Sequence, residues 1–182
     1  LFKCIAGLET HKGNIQSEFS TLKDHLGFLQ TNPFFFSKIT GREYLELLCH
    51  ARQIKGIDFD SRNIFDLPLN QYAITYSTGM KKKLAFISIM SLNRPIVILD
   101  EPFNGLDLET NEVIKRIILL LKKRNKTLLV TSHILETLTA VCDEIHYLDG
   151  GIIANSFTPD TFHELDAVFA NLEYNQLEGL VR

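Results

Sequence analysis

A short apolar run that ends abruptly in two carboxylates constrains this chain more than any other feature. Pro95-Ile96-Val97-Ile98-Leu99 leads straight into Asp100-Glu101. A run this short, without alternation, suits a strand covered on both faces, as in a parallel sheet. Thr127-Leu128-Leu129-Val130-Thr131 is a second such run, ending in Ser132-His133. Between them, Glu109 to Arg124 carries Val113, Ile114, Ile117, Ile118 and Leu121 at helical spacing. Acids Glu109 and Glu112 lie near its start and Lys122, Lys123 and Arg124 near its end, which suits the helix dipole. Strand, helix and strand make a βαβ unit with a right-handed crossover, and the class is α/β.

The rest of the chain fits around this unit. Asp149-Gly150-Gly151 between Glu144–Leu148 and Ile152–Ala154 predicts a hairpin. Arg42 to Lys55 predicts a helix through Tyr44, Leu45, Leu47, Leu48 and Ala51. Lys81 to Leu92 predicts another, and the tail from Pro159 onward reads as an amphipathic helix. Residues 38–94 therefore form a helical insertion between the sheet strands. Leu1 to Leu8 reads as the back half of a helix ending at a Gly cap, so residues upstream of Leu1 are expected.

Composition narrows the function classes. With 19 basic and 22 acidic residues among 182, the net charge is −3, which provides no broad electrostatic footprint for nucleic acid. No apolar stretch approaches the length needed to cross a bilayer. Cys4, Cys49 and Cys142 are odd in number and far apart, with no CxxC pair, and read as buried reduced thiols.

Ligands of open α/β sheets bind outside the carboxyl ends of the strands, and Asp100, Glu101 and His133 all fall at such ends. Two adjacent carboxylates are electrostatically awkward without a cation or a protonated partner. Mg²⁺ would resolve this, since it takes one or two carboxylates plus substrate phosphates. Asp100 would then hold the metal and Glu101 would polarise an attacking water, while His133 could contact a γ-phosphate. The other reading is an acidic strand end that caps the following turn. Ser77-Thr78-Gly79-Met80 offers a helix N-cap and a glycine where a backbone can approach an anion; a merely capped helix is the plainer reading. Lys81-Lys82-Lys83 reads as a solvated face.

These pieces occur together and in order, and that order resembles the ATPase domain of ABC transporters. Tyr76-Ser77-Thr78-Gly79-Met80 resembles the signature motif, and Ile96 to Pro102 the Walker B strand with its catalytic glutamate. Gly105-Leu106-Asp107 resembles the D-loop, Thr131-Ser132-His133 the switch histidine, and Gln30 after Leu26-Gly27-Phe28-Leu29 the Q-loop glutamine. The resemblance extends to Leu165–Phe169, which is similar to the usual domain end. It implies one domain over residues 1–182, N-terminally incomplete. Its core would be a P-loop NTPase-like parallel sheet, with an ABC-type helical subdomain inserted over about 38–94. It implies ATP and Mg²⁺, with Asp100 and Gln30 at the metal, Glu101 as general base and His133 at the γ-phosphate. Ser77, Thr78, Gly79 and Met80 would face ATP held by a second ABC ATPase domain, identical or not, with Asp107 at the seam. It also implies transmembrane permease partners and a place on the cytoplasmic face of the membrane.

The chain departs from the family pattern in two ways. Its signature reads Tyr-Ser-Thr-Gly-Met rather than Leu-Ser-Gly-Gly-Gln, a form similar to bacterial exporter-type ATPases. No GxxxxGK[ST] phosphate loop occurs in the 182 residues. These 182 residues alone are therefore expected to bind MgATP poorly, with apolar surface exposed beside the Walker B strand. Residues 56–76 form a shorter segment than the family's, and Phe34-Phe35-Phe36 is a candidate permease contact, the plainer reading being one or two rings in the core and the rest packed locally. Three further readings are a degenerate interaction module without turnover, a soluble ABC ATPase of DNA repair or translation, and a response-regulator-like domain with Asp100 as phosphoacceptor.

Overall fold

The computed structural model describes residues 1–168. In chain order the helices and strands are α1 (Phe2–Ile5), β1 (Leu26–Leu29), α2 (Gly41–Ala51), α3 (Phe59–Arg62), α4 (Thr78–Ser91) and β2 (Ile96–Asp100). Then come α5 (Leu108–Lys123), β3 (Thr127–Thr131), α6 (Leu135–Val141), β4 (Ile145–Asp149) and β5 (Ile152–Phe157). Leu1–Ser132 forms one compact unit and the chain from His133 onward a second. No helix among the described residues is long and apolar enough to cross a membrane.

The first unit holds a parallel three-stranded sheet in the order β1-β2-β3. The central strand is the one that ends in Asp100, and its Val97, Ile98 and Leu99 are buried. Leu29 pairs with Leu99 and Thr131 with Asp100, so all three strands end at the same edge. Apolar surface is not laid open beside β2, as the sequence reading expects, because β1 and β3 flank it on both sides. The edges among the described residues belong to β1 and β3, and the side chains of Leu128, Leu129 and Val130 are half-buried.

β1 escapes the sequence reading because it is short and contains Gly27. The glycine is there for close packing. A Cβ at Gly27 would lie 2.9 Å from Ile89 Cγ2 of α4, so α4 can settle onto the strand only if position 27 is bare. α4 buries residues around most of its circumference, from Lys82 through Ser91, which marks it as the central helix of the unit. α2 begins with a capping box between Thr40 and Glu43 and stops at Ala51, before the expected Lys55. The backbone turns left-handed at Gln53, which a helix cannot follow. Phe35 is buried against Tyr44, ring centroids 4.6 Å apart, and burial raises the Tyr44 phenol to about 12. Phe34 and Phe36 stay exposed and meet edge to face at 5.1 Å. Cys49 is buried, but Cys4 and Cys142 are only half-buried, so the buried-thiol expectation holds for one of the three.

At the start of the chain, α1 ends as the Gly pattern predicts, with Gly7 left-handed and the Leu8 amide donating to Lys3 O. In the second unit, β4 and β5 form the expected antiparallel hairpin, turning at Gly150-Gly151 with a bulge at Tyr147/Leu148. The tail begins with a 3-10 turn over Pro159–Glu164. Phe169 and the rest of the predicted tail helix lie outside the described residues.

Candidate active site

The turn after β2 carries two left-handed residues, Glu101 and Gly105. Asp100 ends the strand, and its carboxylate accepts one hydroxyl on each oxygen. Thr31 Oγ1 donates to Oδ2 at 2.6 Å and Thr131 Oγ1 to Oδ1 at 2.8 Å. Those hydroxyls settle the acidic strand end that sequence reasoning left in need of a cation. Thr131 ends β3, level with Asp100 in the sheet register, and Thr31 lies two residues beyond the end of β1. Each Asp100 oxygen keeps lone-pair capacity beyond its one hydroxyl. The residue after it, Glu101, is left-handed, with φ of 52°. For a residue with a side chain this conformation costs on the order of 1 kcal/mol and persists where the surroundings over-determine it.

The surroundings do so here. The Glu101 amide donates to Thr131 Oγ1 at 3.0 Å. Its carbonyl accepts from Lys82 Nζ at 2.7 Å and from the Asn104 amide at 3.3 Å. The turn then runs through buried Pro102 and Phe103 to Gly105, which is also left-handed. The lysine run is therefore not a solvated face. Lys82 is buried and tied to the turn, and Lys83 pairs with Asp107 at 3.1 Å. The charged-run reading fails because these lysines start a helix lying against a chain reversal rich in carbonyls and acid.

The remaining predicted site residues fall in four places. Gln30 directly follows β1, so the register sets it level with Asp100 at the sheet edge, and its side chain is exposed. Ser77 caps α4, its hydroxyl accepting from the Met80 amide at 3.2 Å. Ser77 and Thr78 are exposed while Gly79 and Met80 are half-buried. Gly79 lies against the turn, since a Cβ there would be 3.5 Å from Gly105 O. Tyr76, just before them, is buried with its hydroxyl donating to Pro68 O at 2.6 Å. It anchors the exposed segment, and Gly41 is bare because a Cβ there would meet that hydroxyl. Asp107 caps α5, accepting from the Thr110 amide and hydroxyl at 2.8 Å each. Those two bonds, and then Lys83, hold the Asp107 carboxyl well below its ordinary value. His133 opens the second unit, just after β3, with an exposed side chain.

Among the described residues no group of three His, Cys, Asp or Glu side chains could hold a metal ion. A single Asp flanked by two threonine hydroxyls is a hard-oxygen donor set. It fits Mg²⁺, which takes its remaining positions from phosphates and water. Sequence reasoning missed Thr31, Thr131 as the support of Asp100, and Lys82. Thr31 had a visible signal, lying directly after Gln30.

A parallel sheet whose central strand ends in adjacent carboxylates, with a capped helix start against the next turn, has the P-loop NTPase fold. A family model described as "AAA domain, putative AbiEii toxin, Type IV TA system" matches residues 13–139. The chain belongs to that AAA-type domain family, and its relatives are ABC transporter ATP-binding proteins. One, an uncharacterized ABC transporter ATP-binding protein of Nostoc sp., is 30% identical over 76% of this chain and 44% of its own length. Another, from Bacillus subtilis, is 27% identical over 88% of this chain and 55% of its own. The chain thus spans about half the length of the curated relatives it matches. The solved ATP-binding subunit of an ABC transporter shares the fold, with TM-score 0.74 and 23% identity over 84% of this chain and 70% of that one. A dimeric post-hydrolysis structure of the ATP-binding cassette MJ0796 with ADP and Pi gives TM-score 0.68 and 20% identity, covering 76% and 65%.

Proposed function

We propose that the chain is the hydrolytic part of an ABC transporter ATPase, which turns over MgATP to drive a partner permease. One observation carries the reading: Glu101 sits left-handed at the carboxyl end of the central strand, with its amide and carbonyl both held. A fixed main chain at Glu101 favours a base already in place when substrate arrives.

In this reading Glu101 accepts a proton from the attacking water as the water oxygen bonds to the γ-phosphorus and the bond from that phosphorus to the β–γ bridging oxygen breaks, releasing ADP. Asp100 and Gln30 would hold Mg²⁺, which would supply charge neutralisation at the transferred phosphate. Thr31 and Thr131 orient the Asp100 carboxylate. His133 donates to the γ-phosphate. Ser77, Thr78, Gly79 and Met80 meet nucleotide held by a second copy. Two facts support this: the segment starts on the surface, and the related MJ0796 cassette is described as dimeric with ADP and Pi. Asp107, already fixed on α5, lies at the seam. The whole of 1–182 belongs to one ATPase domain, with 38–94 as its helical subdomain.

The rest follows from the same reading. The Tyr76–Met80 variant favours export. Exposed Phe34 and Phe36, beside Gln30 and braced by buried Phe35, are the contact for the permease. The permease keeps the ATPase on the cytoplasmic face of the membrane.

A second reading is an interaction module without turnover. Phosphate release from MgATP by the polypeptide as its source makes it separates the two. Because each site is divided between two copies, specific activity should rise with protein concentration until pairing is complete. Activity independent of concentration contradicts the divided site, and no activity favours the module.

A further inference from the structure

Among the described residues Lys82 is the one charged side chain that is buried, at 5% exposure. An ammonium taken out of water is costly unless hydrogen-bonded. Its bonds go to main-chain carbonyls, Glu101 O at 2.7 Å and Asn104 O at 2.8 Å, which bracket the turn after β2. We propose that Lys82 is a positioning residue for hydrolysis. Its ammonium, reaching from α4, clamps the carbonyls of Glu101 and Asn104 and holds Glu101 in the left-handed conformation from which its carboxylate acts. The inference rests on Glu101 being the base of the proposed reaction.

The geometry explains why a lysine serves here. The Glu101 peptide is held on one side by the Thr131 hydroxyl, which is shared with Asp100. On the other side the turn's own closing bond, Asn104 amide to Glu101 carbonyl, is long at 3.3 Å. A charged donor makes shorter and stronger bonds than a neutral one, and one ammonium can serve two carbonyls at once. Burial lowers the Lys82 pKa, and the Glu101 and Asp100 carboxylates oppose that shift, so the two acids beside the clamp favour its charged form. Lys82 lies one turn into α4, and its bonds go to main-chain carbonyls, not to the atoms proposed to react. It acts through the backbone of Glu101.

The test compares Lys82→Met, which keeps the length and removes the donors, with Lys82→Arg, which restores them. The polypeptide is used as its source makes it. Lys82→Met should lower kcat by on the order of 10–100-fold with KM for MgATP unchanged, and Lys82→Arg should recover much of the loss. Hydrogen exchange of the 101–105 amides should quicken about tenfold in Lys82→Met while β2 and the rest of α4 keep their protection. An unchanged kcat overturns the proposal. So does exchange that quickens evenly through α4 and β2, because that marks a purely structural lysine. If the unsubstituted polypeptide hydrolyses no ATP, the proposed function fails, and exchange alone decides the clamp. Local quickening reversed by Lys82→Arg upholds it, and no local change overturns it.

Discussion

Glu101→Gln should abolish ATP turnover, lowering kcat by on the order of 10²–10⁴-fold, and leave MgATP affinity unchanged. The amide has the same size as the carboxylate but cannot accept a proton from water. The backbone contacts that fix position 101 come from Thr131, Lys82 and Asn104, and none of them uses the Glu101 carboxylate. The substitution therefore removes the base without releasing the turn. Parallel measurement of phosphate release and equilibrium binding of MgATP checks both halves. A kcat unchanged by the substitution would mean that another group takes the proton. A loss of affinity as large as the loss of kcat would mean that Glu101 binds nucleotide and does no acid–base work.

The largest effect on stability should come from Phe86→Ala. Phe86 is fully buried in the middle of α4, edge-on to Phe65 at 6.2 Å. It also lines a cavity of about 370 Å³ with Ile64, Met90, Ile117 and Leu121. Truncating a buried phenylalanine costs about 3–5 kcal/mol, from lost transfer energy and the space left behind. Here that space joins an existing cavity, and α4 cannot drop to fill it because Gly27 already brings the helix against β1. Against a typical total of about 5–15 kcal/mol, the loss is a large fraction. Urea unfolding should show the midpoint falling accordingly, with β2 amides losing protection together with α4. A change below about 1 kcal/mol would mean that Phe86 is not part of the core that holds α4 to the sheet.

Much of the sheet was legible because buried parallel strands write themselves as uninterrupted apolar runs. β3 falls over Thr127–Thr131 as expected, and β2 differs only by including Asp100 in place of Pro95. α5 and the hairpin turn were legible from helical spacing and from Asp-Gly-Gly. β1 was not, because four residues with a glycine among them carry no period, and the reason for Gly27 is a side chain of α4 distant in sequence. The site divides in the same way. Asp100, Glu101 and Ser77 stand in local patterns. What holds them does not, since Thr31 lies 69 residues from Asp100 in the chain, Thr131 31 residues and Lys82 19 residues from Glu101. Three lysines in a row look solvated in any local reading. Only the fold shows that one is buried against carbonyls and another is paired with an aspartate.

In the proposed function one nucleotide site is shared between two copies, with Glu101 from one and Ser77 from the other. It is tested most directly by mixing two inactive variants. Glu101→Gln lacks the base, and Ser77→Arg blocks the signature end. Each alone should be inactive, because both of its sites carry the defect. In a mixed pair, the intact Glu101 of one copy faces the intact Ser77 of the other, so one of the two sites is whole. An equal mixture of the two, allowed to exchange, should regain about a quarter of the unsubstituted rate by random pairing. A mixture that stays as inactive as its components, while the unsubstituted polypeptide turns over ATP, would contradict the shared site.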